Sequence, residues 1–176
     1  MNLPDPGPEL LGQYQQLLID LETAMDRAAK STGAGCLRCR PGCVSCCISF
    51  AVLPIEAAIL QAAIAGLPRP SSPDRPTENV CPLLIGDLCS VYAARPVICR
   101  TQGLALAYVD EEQESIEVSA CGKNFAVDFL FQPEMLLFMD SFNDRLFALN
   151  MDYCRLWKKA PDRRIPIQEL ACSGPP

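Results

Sequence analysis

The stretch Cys39-Arg40-Pro41-Gly42-Cys43-Val44-Ser45-Cys46-Cys47 is the densest group of reactive side chains in this chain. Its spacing is C-x3-C-x2-C-C, so four thiols lie within nine residues. Pro41 and Gly42 are typical turn residues, and a tight turn would bring these thiols into one small volume. Thiolates are strong ligands for zinc, copper(I) and iron–sulfur clusters. The stretch therefore predicts a metal site, and we expect the rest of the chain to form a shell around it.

Four cysteines farther along the chain are predicted to complete this site. A C-x3-C pair supplies only two ligands of a four-sulfur site, so the short spacings need distant partners. Neighbouring side chains on an extended chain point to opposite sides, so Cys46 and Cys47 should serve different metals, or one should bridge while the other terminates. Eight sulfurs then fit two four-sulfur sites, or one polynuclear cluster, better than a single ion. The candidate metal ligands are Cys39, Cys43, Cys46, Cys47, Cys81, Cys89, Cys99 and Cys121.

The other three cysteines have weaker claims to a metal. Cys36 stands in a glycine-rich setting and is either a spare thiol or a ninth ligand. Cys154 lies beside the apolar stripe of a predicted helix and is expected to be a core thiol. Cys172, near the end of the sequence, is expected to be incidental. Arg100 adjoins Cys99 and is either a surface cation or a hydrogen-bond donor to thiolate sulfur.

Composition restricts the class of protein. The chain has 176 residues, enough for one domain with a real core, and 49% of them are hydrophobic. It has no histidine, which excludes imidazole ligands and catalytic triads that use histidine. The net charge of −6 argues against a nucleic-acid partner, because such affinity comes largely from Lys and Arg.

The cysteine count points to a reducing compartment. The first residues lack the pattern of a signal peptide, and the most apolar stretch, Ala51 to Leu67, is too short and polar to span a membrane. We therefore expect a cytoplasmic protein with no membrane contact. In the cytoplasm eleven cysteines favour metal binding over disulfides, and an odd number cannot pair fully within one chain.

Periodicity predicts a mainly α fold with a small β component, a single α+β domain over residues 1–176 organised around the cysteine metal cluster. Apolar residues recur at helical spacing over about 8–30, 54–66 and 133–158. Gly86-Asp87 between two apolar triplets predicts a hairpin that carries Cys81 and Cys89, and a second hairpin is expected at 104–119. Shorter predictions are a strand at 48–52, helices at 123–131 and 165–170, and a proline-rich linker at 67–80.

A longer pattern connects the cysteines to other residue types. It reads C-x3-C-x2-C-C, then C-P-x-L followed by C-x-x-Y-x-x-R-P-x-x-C-R, then a later Cys, and it resembles the YkgJ-type cysteine-cluster family. The resemblance covers residues 36–125, the expected metal-binding core, and it implies a zinc- or iron-chelating domain. The matching residues are Cys39, Cys43, Cys46, Cys47, Cys81, Pro82, Leu84, Cys89, Tyr92, Arg95, Pro96, Cys99, Arg100 and Cys121.

Three functions remain open at this point. The sequence favours a non-catalytic protein that binds zinc, or else iron, because it shows no carboxylate pair and no activated nucleophile. The family looks related to the cysteine-rich part of flagellin lysine N-methylases, which implies an alternative: an iron–sulfur protein with redox or S-adenosylmethionine-linked activity. A third reading is an interaction module in which zinc only holds a surface in place. The metal ion is the one partner that the sequence identifies.

Overall fold

The structure is a computed structural model that describes residues 2–33, 35–67 and 80–172. Residues 68–79 of the predicted linker lie outside the described residues. Two 3₁₀ turns, Tyr92–Ala94 and Pro133–Met135, separate some of the regular elements. In chain order these elements are α1 (Pro8–Thr32), β1 (Ala51–Val52), α2 (Pro54–Ala65), β2 (Leu84–Ile85), β3 (Leu88–Cys89), α3 (Val97–Thr101), β4 (Ala105–Asp110), β5 (Ser115–Ser119), β6 (Leu136–Phe138), α4 (Asp140–Trp157), β7 (Ile165–Pro166) and α5 (Ile167–Cys172).

Helices α1 and α2 confirm the predictions made from periodicity. Pro8 and Pro54 occupy the first position of α1 and α2 respectively, where their missing N–H is not needed. Gly33, at φ +89°, ends α1. One face of α1 is buried, whereas α2 is buried on several sides. The buried residues of α1 are Leu10, Tyr14, Leu17, Leu21, Ala28 and Thr32.

Helix α4 corrects the predicted helix at 133–158. The structure is helical only from Asp140, and the preceding residues form a 3₁₀ turn and strand β6. Strand β6 pairs in parallel with β4, which places Leu137 opposite Leu106. The apolar residues before position 140 are therefore stabilised by a long-range strand partner, which helical spacing does not reveal. The helix predicted at 123–131 is also wrong, since that segment consists of turns.

Small sheets join distant parts of the chain. Strand β4 lies between β5 and β6 in a three-stranded sheet, and its antiparallel pairing with β5 confirms the predicted second hairpin. Strand β1 pairs with β7, which links the segment after Cys47 to residues beyond α4. The predicted strand at 48–52 is shorter in the structure, where only Ala51–Val52 and an isolated bridge at Ile48 are paired. The predicted last helix is α5 and begins at Ile167.

One apolar core unites the helices. Helix α4 packs on α1 and α2, and α2 also packs on α5. The least exposed side chains of this core include Leu17, Leu21, Ile55 and Tyr153. Cys154 is buried in the same cluster, which confirms its prediction as a core thiol. The structure is thus a mixture of α-helices and small sheets, and no described helix is long and apolar enough to cross a membrane.

Tyr153→Phe is expected to lower the free energy of unfolding by about 1 kcal/mol. The Tyr153 ring is fully buried, and its hydroxyl donates a hydrogen bond to the Pro4 carbonyl over 2.9 Å. Phenylalanine keeps the ring and removes this bond, so the N-terminal arm loses an anchor. Urea unfolding measures the change, and hydrogen exchange at the Leu3 amide should become faster. An unchanged unfolding midpoint would contradict this role.

Candidate metal centre

Two consecutive turns shape the cysteine-rich stretch. The Cys43 amide donates to the Arg40 carbonyl over 3.0 Å, and the Cys47 amide donates to the Val44 carbonyl over 2.9 Å. Pro41 and Gly42 occupy the centre of the first turn, and Gly42 has the positive φ of +86° that only glycine adopts easily. The predicted turn at Pro41 and Gly42 is therefore present between Cys39 and Cys43.

Cys47 faces the hairpin that carries Cys81 and Cys89. The Cys81 amide donates to the Cys47 carbonyl over 3.0 Å, and an isolated bridge joins Ile48 to Val80. In the hairpin Cys89 pairs with Leu84, as predicted from the tight turn between them. Gly86 and Asp87 make that turn with φ of +55° and +60°, the combination that type I′ hairpins require.

Cys99 lies on α3 and belongs to the same neighbourhood. Burial first, and then the charge of Cys81, raise the pKa of the Cys99 thiol to about 12. Burial and the charges of Cys46, Cys81 and Cys89 raise the pKa of Cys47 to about 11. Cys81 and Cys89 thus lie near both Cys47 and Cys99, and we call these four cysteines the inner set.

Cys39 lies on the other side of the stretch, against Gly103 and Asn124. The Asn124 side-chain amide donates to Cys39 Sγ at 3.4 Å and to the Gly103 carbonyl at 2.7 Å, while its oxygen accepts from the Arg38 amide at 2.9 Å. Asn124 in turn donates its backbone amide to the Cys121 carbonyl over 2.9 Å. Asn124 therefore joins the Cys121 turn to Cys39.

Cys46 associates with the Cys39 side of the stretch. Its pKa is raised mainly by burial, and the charges of Cys39 and Cys43 add to the increase. Cys46 also hydrogen-bonds through its side chain to Cys47, so the two neighbouring thiols remain in contact. We call Cys39, Cys43, Cys46 and Cys121 the outer set. Within it Cys39 is exposed and the other three are partly buried.

Gly103 allows Cys39 to approach the chain closely. A Cβ atom at position 103 would lie only 2.5 Å from Cys39 Sγ, and Gly103 has a φ of +96°. Both the space and the backbone angle therefore require glycine. Neither Gly103 nor Asn124 was recognised from the sequence, because neither belongs to a cysteine spacing or to the turn pairs used for prediction.

Two arginines fix the segment that leads into α3. The Arg95 guanidinium stacks 3.7 Å from the centre of the Tyr92 ring. Arg100 donates to the carbonyls of Ala93 and Arg95 over 2.5 and 2.8 Å, and it pairs with Glu22 of α1 at 2.8 Å. The acceptor of each of these Arg100 bonds is an oxygen atom. The hydrogen bond from Arg100 to a thiolate sulfur, considered from the sequence, is therefore not among them.

Glu56 is a buried carboxylate beneath α3. Its oxygen accepts the Val97 amide at 2.9 Å and the Tyr14 hydroxyl at 3.4 Å, and the Leu53 amide also bonds to it. Burial raises the pKa of the Glu56 carboxyl, whereas these donors oppose the increase. Because Val97 is the first residue of α3, Glu56 fixes the start of the helix that carries Cys99. From the sequence alone, Glu56 could not be distinguished from an ordinary acidic residue in the first turn of a helix.

The cysteine side chains of the described residues do not form a coordination sphere for a metal ion. Among the described residues, no three Cys, Asp or Glu side chains are arranged to hold a metal ion, so the predicted organisation of the fold around a metal cluster is not shown. The chemistry of the donors nevertheless suits zinc or iron, since the inner and outer sets both consist of cysteine sulfurs. The ten cysteines whose side chains are described are free thiols, including Cys36.

Comparison with known families gives one match. Residues 38–122 match the CxxCxxCC family, described as a "putative zinc- or iron-chelating domain". The matched segment contains both sets of cysteines and excludes α1, α4 and α5. No curated protein and no solved structure matches the chain.

Proposed function

Because residues 38–122 match the CxxCxxCC family, whose description is a zinc- or iron-chelating domain, we propose that this chain binds two zinc ions through eight thiolates. The inner set supplies four sulfurs to one ion and the outer set supplies four to the other. Four thiolates are the usual ligand set of a closed structural zinc site. With both sites closed, the protein would have no open metal position for catalysis, and its role would be non-catalytic.

The different neighbours of Cys39 and Cys47 support this proposal. The Cys47 carbonyl accepts from Cys81, on the hairpin, whereas Cys39 on the other side is held by Asn124 and Gly103. One tetrahedral ion would have to draw ligands from both of these neighbourhoods, whereas two ions let each neighbourhood supply its own. Binding would draw each set together, because metal affinity and local order develop at the same time.

We expect protein purified without oxygen to contain two zinc ions per chain, since eight sulfurs fill two tetrahedral sites. Cys47→Ser and Cys43→Ser should each reduce the zinc content from two ions to one, because each removes a ligand from a different set. Elemental analysis with a protein assay measures the ratio. Substitution by cobalt(II) would show the loss of one tetrahedral thiolate spectrum in each variant.

Cys154→Ala is the matched control, because Cys154 is a buried thiol of the core away from both sets. It should leave the zinc content at two. Loss of both zinc ions in either variant, or a wild-type content of one zinc ion that neither substitution changes, would contradict the division into two sets. Strong visible absorption with stoichiometric iron and acid-labile sulfide would identify an iron–sulfur cluster in place of zinc.

A further inference from the structure

Strand β5 is an unprotected edge of the three-stranded sheet. Within residues 2–33, 35–67 and 80–172 its one neighbouring strand is β4, and all five of its residues, Ser115–Ser119, are exposed. Edge strands in soluble proteins are commonly protected from pairing by lysine, proline or a bulge. Strand β5 contains neither lysine nor proline, and its pairing with β4 runs without interruption from Ser115 to Ser119. Its outer backbone groups are therefore free to pair with a further strand.

An apolar surface lies beside this edge. The register places Ile116 opposite Val109, and Val118 opposite Ala107, which is itself opposite Phe138 of β6. Paired residues project to the same face of a sheet, so these side chains share one face. Val109 and Ile116 are 50% and 52% exposed, and Val118 and Phe138 are both 39% exposed. A strand added to β5 would extend this face and cover part of it.

The segment that contains β5 carries charge of one sign. Residues 101–122 contain no lysine or arginine. Their five acidic residues are Asp110, Glu111, Glu112, Glu114 and Glu117. Glu117 alternates with Ile116 and Val118, so it projects from the opposite face of the same strand. The edge thus offers apolar contact on one face and negative charge on the other.

We propose that β5 is a docking edge for an extended, basic segment of a partner protein, which adds to the sheet as a fourth strand. Such a segment would alternate apolar residues with Lys or Arg. Its apolar residues would continue the face of Ile116 and Val118, and its cations would meet Glu117. This is the β-augmentation mode of recognition, in which backbone bonds supply affinity and alternate side chains supply specificity.

A second copy of this chain is a poor occupant of the edge. Antiparallel pairing of β5 with itself would place Glu117 opposite Glu117, because Glu117 is the central residue of the strand. Like charges directly opposite each other destabilise a strand pair. The neighbouring acidic tips would repel as well. The charge pattern therefore selects a basic partner. The inference does not depend on the proposed zinc sites, although β5 ends two residues before Cys121.

The test uses the full chain and a blocked peptide of alternating lysine and valine. We expect the peptide to slow hydrogen exchange at alternate backbone amides of residues 115–119, because the outward N–H groups become bonded. A peptide of the same composition with lysines and valines in separate blocks should give no such protection. A peptide of alternating glutamate and valine should not bind.

Glu117→Lys should weaken binding of the lysine–valine peptide about fivefold, the effect of losing one favourable cross-strand charge pair. Asp26→Lys is the matched control, because Asp26 is exposed on α1 and the net charge changes by the same amount. It should leave binding unchanged, which separates a local contact from general attraction.

Three results would overturn the proposal. One is equal protection of residues 115–119 by the blocked-sequence peptide or by the acidic peptide. Another is binding of the alternating peptide without protection at these amides. The third is a dimer in sedimentation analysis whose β5 amides are already protected without peptide, which would assign the edge to a second copy.

Discussion

Glu56→Ala is expected to lower the free energy of unfolding by about 3 kcal/mol. The substitution leaves the buried amides of Leu53 and Val97 and the Tyr14 hydroxyl without their acceptor. It also opens a small cavity between α1, α2 and α3. Denaturant unfolding of the metal-free protein measures the change. Because Cys99 follows Val97 by two residues, zinc at the inner set should also bind less tightly, with the outer set unaffected.

Two further variants separate the parts of this effect. Tyr14→Phe removes only the bond from the Tyr14 hydroxyl, which is long at 3.4 Å, so it should cost about 1 kcal/mol or less. Glu56→Gln keeps an oxygen acceptor for the Val97 amide. Its free energy of unfolding should therefore lie between those of the wild type and Glu56→Ala. If Glu56→Ala unfolded at the same denaturant concentration as wild type, the carboxylate would not be an anchor of α3.

The same side chain gives stability a pH dependence of defined sign. Burial raises the pKa of Glu56 above its ordinary 4.5. Between 4.5 and the raised pKa, the folded protein keeps a proton that the unfolded chain has released, so this group's contribution to stability decreases as pH rises. Glu56→Gln cannot titrate, and its free energy of unfolding should therefore decrease less than that of wild type across this window.

Gly103→Ala is expected to remove one zinc ion and to leave the other. The new methyl group would lie 2.5 Å from Cys39 Sγ, so Cys39 must move away from the position in which Asn124 holds it. The outer set then loses a correctly placed ligand, whereas Cys47 and its partners are untouched. Elemental analysis should show one zinc ion per chain, and chelator competition should show that the retained ion is bound as tightly as in wild type.

Gly33→Ala is a matched control for the backbone cost. Gly33 has a φ of +89°, close to the +96° of Gly103, but a Cβ at position 33 meets no atom within 4 Å. Both variants should lose about 1 kcal/mol of stability from the positive φ. Only Gly103→Ala should lose zinc. Two zinc ions in Gly103→Ala, or one in Gly33→Ala, would contradict the steric explanation.

The parts of the fold that the sequence predicted are those in which local pattern and tertiary structure agree. Helix α1 has an apolar stripe, a proline at its start and a glycine at its end. The hairpin turn at Gly86-Asp87 has residue types that tolerate the two positive φ angles found there. Strand β6 was missed because Leu136–Phe138 continue the helical spacing of α4. Only their pairing with β4, 31 residues earlier in the chain, identifies them as a strand.

The candidate ligands were found by type and spacing, whereas their grouping was not. The adjacent thiols of Cys46 and Cys47 predicted that the cysteines divide between two metal sites. Spacing alone does not show to which of the two sites each distant cysteine belongs. The choice depends on hydrogen bonds from non-cysteine residues, such as Asn124 to Cys39 and the Cys81 amide to Cys47. That all eight cysteines bind metal, and that the chain is one domain, remain predictions.

Two contacts connect α1 to the segment that matches the family. They are the ion pair between Arg100 and Glu22 and the hydrogen bond between Tyr14 and Glu56. Residues 38–122 are the part shared with a family, but Glu22 and Tyr14 lie on α1, before that part begins. A segment excised at the family borders would expose the underside of α3 to water and leave Glu56 without one of its donors. Residues 38–122 alone therefore lack contacts that hold α3 in this chain, and we expect a segment of only these residues to be less stable than the full chain.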